Sequence, residues 1–159
     1  MGKKRQSKSF AAQTAALSNE QLVQLVAQLS EALQQRGELR VPVSLFAAKL
    51  SPAEALVKYL KEQEKLRYAD IARLLNRDQR GIWCTYQRAQ RKQSAALSVP
   101  PSPHTIPVSL FAERKCSILE YVAHHLRGQN LSHRDIAQLV NKSPSTIATV
   151  YHRARRKLQ

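Results

Sequence analysis

VPVSLFAAKLSPAEALVKYLKEQEKLRYADIARLLNRDQRGIWCTYQRAQRK, residues 41–92, returns as IPVSLFAERKCSILEYVAHHLRGQNLSHRDIAQLVNKSPSTIATVYHRARRK, residues 106–157. The copies register at an offset of 65 from Pro42/Pro107 to Phe46/Phe111, slip to 66 through Glu54/Glu120 and Leu60/Leu126, and return to 65 at Asp70/Asp135. One residue gained and one lost, both between helical stretches, is how a duplicated unit tolerates change. The repeat predicts two tandem modules, residues 41–93 and 106–159, and directs the search for function to what both keep.

Each copy reads as three main helices with no run of strictly alternating hydrophobics, which points to an all-α chain. A short helix opened by Ser44 or Ser109 is expected before them. In copy one Ser51 caps, Pro52 takes the first turn and Glu54 completes a capping box. Leu56, Val57 and Leu60 share a face, as do Ile118, Leu119, Val122 and Leu126 in copy two. The next helix, YADIARLLN or HRDIAQLVN, turns Ile71, Leu74 and Leu75, or Ile136, Leu139 and Val140, inward. Ala72 and Ala137 are the small residues that a close helix crossing requires.

A three-residue turn follows Asn76 and Asn141, then a last helix capped by Asp78 or by Ser143 with Pro144. Its inner positions are Ile82, Tyr86 and Ala89, repeated as Ile147, Tyr151 and Ala154. Its outer face carries Gln79, Arg80, Cys84, Gln87, Arg88 and Arg91, or Ser145, Thr149, His152, Arg153 and Arg156. Trp83 stands where copy two has Ala148, and either partial burial or contact with a thymine methyl would suit it. A short helix, a tight turn and a second helix that is apolar inside and basic outside is the helix-turn-helix arrangement, whose second helix enters the major groove.

Charge agrees with that reading. The 159 residues hold 26 Lys and Arg against 11 Asp and Glu, a formal net charge of +15, and both modules share the excess. A polyanion is the expected partner. Arg88, Arg153 and the terminal run Arg153, Arg155, Arg156 and Lys157 are expected to anchor phosphates.

STIATVYHRARRKL, residues 145–158, resembles the final helix of region 4 in bacterial sigma factors, especially the extracytoplasmic-function type, in which a Thr-Val pair precedes a His-Arg-Ala-Arg run. The DIAxLxN stretches resemble that family's preceding helix, so the likeness covers both modules from about Leu66 and Leu131 onward. It implies a winged-helix-free fold whose last helix reads a promoter element and whose domain also docks on RNA polymerase. By that resemblance Thr146, Thr149, His152, Arg153 and Arg156, with Gly81, Cys84, Gln87, Arg88 and Arg91, lie at the DNA surface. Nothing resembles the family's other helical DNA-binding domain, and Gly81 against Thr146 and Asp78 against Ser143 mean that the modules need not read the same bases.

The flanking segments read differently. Residues 1–16 are polar and basic, a disordered arm. Residues 17–37 form an amphipathic helix with Ser18 and Gln21 as a capping box, Leu17 stapled on Leu22, a stripe of Leu22, Leu25, Val26, Leu29 and Leu33, and a stop at Gly37. It packs on module one or makes a short homodimeric coil. Residues 94–105 are a proline-rich linker. Counted from Gln93, a polyproline II segment reaches up to roughly 40 Å, enough to set two recognition helices in successive major grooves, roughly 34 Å apart, as a covalent pseudo-dimer.

Other chemistries find little footing. Cys84 and Cys116 are non-equivalent and lack a CxxC partner, so neither disulfide nor zinc is expected. No nucleophile-base pair, paired carboxylates or phosphate-binding Gly loop recurs, so no enzyme, cofactor or metal is expected. No apolar run spans a bilayer and no secretory signal is seen, which predicts a cytoplasmic, nucleoid location. The expectation is a double-stranded DNA-binding transcription regulator. Alternatives are an architectural nucleoid protein, an adaptor for RNA polymerase or another protein, and a binder of structured RNA.

Overall fold

The computed structural model describes residues 18–159, the side chains of 29–36 excepted. The expected arm at 1–16, the Leu17 staple and the Leu29 and Leu33 part of the stripe lie outside the described residues. The chain divides after Glu38.

Before that division, α1 spans Asn19–Gly37. Its start is the expected capping box: the Gln21 amide donates to Ser18 Oγ at 3.3 Å, and the Ser18 amide donates to Gln21 Oε1 at 3.0 Å. Leu22 and Leu25 are half-buried, whereas Val26, assigned to the same stripe, is 64% exposed. The helix ends at Gly37 without a left-handed residue.

Residues 39–159 contain both copies in one unit. Copy one supplies β1 (Arg40–Pro42), a 3₁₀ turn (Val43–Ala47), α2 (Pro52–Glu62), α3 (Tyr68–Leu74) and α4 (Gln79–Lys92). Copy two repeats the order as β2 (Thr105–Pro107), a 3₁₀ turn (Val108–Ala112), α5 (Ile118–Gly128), α6 (His133–Leu139) and α7 (Pro144–Leu158). The fold is mostly helical, in keeping with the helical class expected, with one small addition: β1 and β2 form an antiparallel two-stranded sheet. Three residues are too few to show a two-residue period, and each strand's partner is in the other copy, so no local pattern announces the pairing.

The strands meet with Arg40 opposite Pro107, Val41 opposite Ile106 and Pro42 opposite Thr105. Flanking bonds extend the seam, from the Val43 amide to the His104 carbonyl at 3.0 Å and from the Val108 amide to the Leu39 carbonyl at 2.9 Å. Beneath it the Phe46 and Phe111 rings meet edge to face at 6.2 Å, both almost wholly buried. Each 3₁₀ turn packs on the other copy, the first against α6 and the second against α3. Ser44 does not open its turn as a cap; its hydroxyl donates to the Pro100 carbonyl at 2.6 Å, and no side chain caps either turn.

Within each copy the first helix packs on the third, and the middle helix packs on the third as well. Leu56, Leu60, Ile71, Leu75, Ile82 and Ala89 make one core, and Val122, Leu126, Ile136, Val140, Ile147 and Ala154 its counterpart, all at most 1% exposed. Each large apolar side chain so buried contributes about 1.5–3 kcal/mol. Ala72 and Ala137 lie inside as expected, but Leu74 is 36% exposed because α3 ends there and turns away.

Both copies leave the middle helix through a left-handed asparagine, Asn76 at φ 49° and Asn141 at φ 51°. The next amides, of Arg77 and Lys142, donate back to the Ala72 and Ala137 carbonyls at 2.8 and 2.9 Å. Asparagine tolerates this conformation better than other residues with a Cβ, and the wrapped-back bond satisfies a carbonyl orphaned at the helix end.

The proline-rich segment is not an extended tether. Leu97 is buried, Val99 is half-buried, Gln63 Nε2 donates to the Leu97 carbonyl at 3.2 Å, and the Ser44 bond holds Pro100. Two apolar side chains among its small residues, Leu97 and Val99, pack against the core, and the two hydrogen bonds hold the backbone beside them.

Candidate nucleic-acid interface

The turns after Asn76 and Asn141 aim α4 and α7. Asp78 Oδ2 accepts the Gly81 amide at 2.9 Å, and Ser143 Oγ accepts that of Thr146 at 3.2 Å. Pro144 fills the first position of α7, where its missing N–H costs nothing. With Ile82 and Ala89, or Ile147 and Ala154, facing the core, the 3.6-residue period leaves positions 80, 84, 87, 88 and 91 on the outer side of α4. It leaves 145, 149, 152, 153 and 156 on that of α7.

The outer positions are where the sequence places them. Gln79, Arg80, Arg88 and Arg91 are exposed on α4, Cys84 and Gln87 are half-buried, and Trp83 is 49% exposed. On α7 Ser145, Thr146, Thr149, His152, Arg153 and Arg156 are all exposed. Some hydroxyls already have local work: Ser143 Oγ shares hydrogen bonds with Thr146 Oγ1 at 2.7 Å and Ser145 Oγ at 3.0 Å, and Thr149 Oγ1 donates to the Ser145 carbonyl at 2.9 Å. The Thr149 oxygen keeps its lone pairs free to accept.

Neither α4 nor α7 contains an Asp or Glu. Arg80, Arg88, Arg91, Arg155 and Arg156 form no ion pair with the described residues. Lys157, expected among the phosphate anchors, is instead engaged: its Nζ binds the Glu120 carboxylate at 2.7 and 3.0 Å. The equivalent Lys92 grips Glu54 at 2.8 and 2.9 Å. Those glutamates also take the amides of Ser51 and Ser117, so the end of each outer helix is fastened to the start of α2 or α5. The sequence holds the signal, since Ser, Glu and Lys recur together in both copies, but a basic run at the end of an outer helix reads first as a phosphate anchor.

Behind each face stands a tyrosine. The Tyr151 ring lies 6.1 Å from His124, 5.4 Å from His133 and 5.8 Å from His152, with the Arg127 guanidinium at 5.7 Å. His152 thus rests on a packed ring while its other edge meets solvent. Burial, then the neighbouring Arg127 and His152, lower the His133 pKa from its ordinary 6.5. In copy one Tyr86 meets Tyr68 edge to face at 5.8 Å and donates to Glu62 at 3.2 Å. The place of His124 is taken by Lys58, fully buried, with Nζ 2.6 Å from Glu62, bonded to Gln90 and 5.8 Å from the Tyr86 ring. A lysine on the inner face reads as an exception in the sequence; only its three partners, on two helices, explain it.

Sequence reasoning missed Arg77 and Arg114. A shallow hollow of about 610 Å³ beside the start of α4 is lined by both, with Arg73, Asn76, Asp78 and Gln79. Arg114 comes from copy two, in the stretch where that copy gains a residue. Its backbone turns left-handed at φ 59°, and its Nη1 donates to the Asn76 carbonyl at 3.4 Å, while Asn76 Nδ2 donates to the Ala112 carbonyl at 3.2 Å.

Cys84 and Cys116 are free thiols. Among the described residues no group of three His, Cys, Asp or Glu side chains is placed to hold a metal, and no helix is long and apolar enough to cross a membrane. Comparison of the chain with protein-family models, curated proteins and solved structures finds no match.

Proposed function

We propose that this chain is a double-stranded DNA-binding protein, a transcription regulator of the nucleoid, in which α3–α4 and α6–α7 act as sigma-region-4-like helix-turn-helix modules. The observation that carries the reading is that two equivalent helices present exposed, carboxylate-free faces with arginines at matching positions, 88 with 153 and 91 with 156. A protein surface so unbalanced favours phosphate. Arg88, Arg91, Arg153 and Arg156 anchor the backbone. Gln87 and His152, one turn up the same face, reach base edges, with Arg80, Cys84, Ser145, Thr146 and Thr149 beside them; Gln79 and Trp83 flank the face of α4. Catalysis, cofactors and metals have no part in this reading.

Fluorescence anisotropy against a duplex across a salt series tests it. Arg88→Ala with Arg153→Ala, in a protein whose circular dichroism is unchanged, is expected to weaken binding and to flatten the log-log salt slope by about 0.9 for each phosphate no longer neutralised. Unchanged duplex binding by that variant overturns it.

Trp83, the only tryptophan and half exposed, favours a second reading in which α4 docks on RNA polymerase or another protein. Co-purification that survives nuclease and the removal of both arginines, but not Trp83→Ala, supports that adaptor. The exposed Val23 and Val26 of α1 are the matching motive for a homodimer through 17–37. Solution mass by light scattering, with and without Val26→Asp, tests it.

A further inference from the structure

The seam fixes how the two copies are related. Equivalent residues there differ by 65, so the pairs Arg40 with Pro107, Val41 with Ile106 and Pro42 with Thr105 have a special property. Exchanging the copies turns the first pair into the third and leaves the second unchanged. The flanking bonds behave alike, since Val43 to His104 becomes Val108 to Leu39, at 3.0 and 2.9 Å. Phe46 and Phe111 are counterparts that touch, and Ser51, Pro52 and Ala53 share one crevice with their counterparts Ser117, Ile118 and Leu119. An interface that maps onto itself when its halves are exchanged is isologous, the mark of a two-fold axis. Head-to-tail repetition would not set a residue opposite its own counterpart.

Tandem copies in a sequence suggest a direct repeat in the target. We propose instead that the DNA target is an inverted repeat of two unlike half-sites, one read by α4 and the other by α7 about a common dyad. This rests on the DNA-binding reading above. B-DNA has dyads across its axis, and a two-fold pair of reading helices docks with the axes coincident, which inverts the half-sites and spaces them by about 10 base pairs or a multiple. The halves differ because only part of each face is shared. Arginines recur at 88/153 and 91/156, so the phosphate framework is symmetric, whereas Arg80, Cys84 and Gln87 face bases where copy two offers Ser145, Thr149 and His152. The packed segment around Leu97 and Pro100 and the paired strands hold the copies as one unit, so the spacing between half-sites is single-valued.

Selection from a randomised duplex pool with the full chain, followed by the triple variant Arg80→Ser, Cys84→Thr, Gln87→His, tests this. The expected motif has two inverted, non-identical halves at one spacing, and the triple variant shifts its preference toward a palindrome of the α7 half-site by at least about tenfold. Halves in the same orientation, variable spacing or a single half-site overturn the inverted target while leaving DNA binding standing. Absence of any duplex binding at low salt overturns both.

Discussion

Lys92 holds Glu54 by both carboxylate oxygens, at 2.8 and 2.9 Å, although the lysine side chain is 58% exposed and the glutamate only 7%. The inequality decides which partner matters. Removing the lysine leaves a desolvated carboxylate still bonded to the Ser51 amide; removing the glutamate opens the capping box as well. Glu54→Ala is expected to cost about 1–3 kcal/mol. Lys92→Ala is expected to cost less, about 1 kcal/mol, because solvent screens its exposed end. Urea denaturation of the single and double variants reads a coupling of roughly 0.5–1 kcal/mol; additive effects would leave the pair without energetic weight.

Acid should release both clamps. Burial opposes ionisation of Glu54 and Glu120, but the Lys92 or Lys157 ammonium and the Ser51 or Ser117 hydrogen bonds outweigh it, and both carboxyls lie below their ordinary 4.5. A depressed carboxyl contributes stability that is present above the unfolded value and lost as pH falls through the folded one. Thermal midpoints measured downward from about pH 5 should therefore fall, and Glu54→Gln with Glu120→Gln should flatten that fall.

His133 gives a separate step at higher pH. Its imidazole is held neutral in the fold, below the ordinary 6.5, so the unfolded chain takes up protons first as pH drops. Stability contributed by this group is complete above 6.5 and declines below it. His133→Gln is expected to remove that part of the slope, read as the difference between the two stability curves.

Phe111 tests the seam. Phe111→Ala lies in copy two, whereas the only tryptophan, Trp83, lies in copy one. The substitution is expected to cost about 3–5 kcal/mol. Trp83 fluorescence and far-ultraviolet circular dichroism should shift together; a tryptophan transition unmoved by Phe111→Ala would show that the copies fold separately.

Gly81 sits in the first turn of α4 with open space around it, the nearest atom to an added Cβ being Asp78 Oδ2 at 3.9 Å. Gly81→Ala should stabilise the protein by about 0.5 kcal/mol, because a helical glycine gives up more backbone freedom on folding. A lower melting temperature would contradict this.

Much of the fold is legible in the sequence because its signals are local. Ser51 with Glu54 and Ser18 with Gln21 are caps written within four residues, Ala72 and Ala137 mark close packing by size alone, and the outer positions of α4 and α7 follow from the helical period. What escapes is what one stretch of chain owes to a distant one. Val41 and Ile106 look like ordinary apolar residues until they are opposite one another, Ser44 looks like a cap until Pro100 is beside it, and Leu97 looks like linker until it is buried. Lys157 reads as a phosphate anchor for the same reason, since its partner Glu120 is 37 residues away.

The pairing of Val41 with Ile106 also sets how the protein responds to scarcity. A two-fold built from separate polypeptides comes apart on dilution, and its melting temperature drifts with protein concentration. Here both sides of the seam belong to one molecule, so forming it is a first-order event, and a single copy of the chain carries the complete symmetric core.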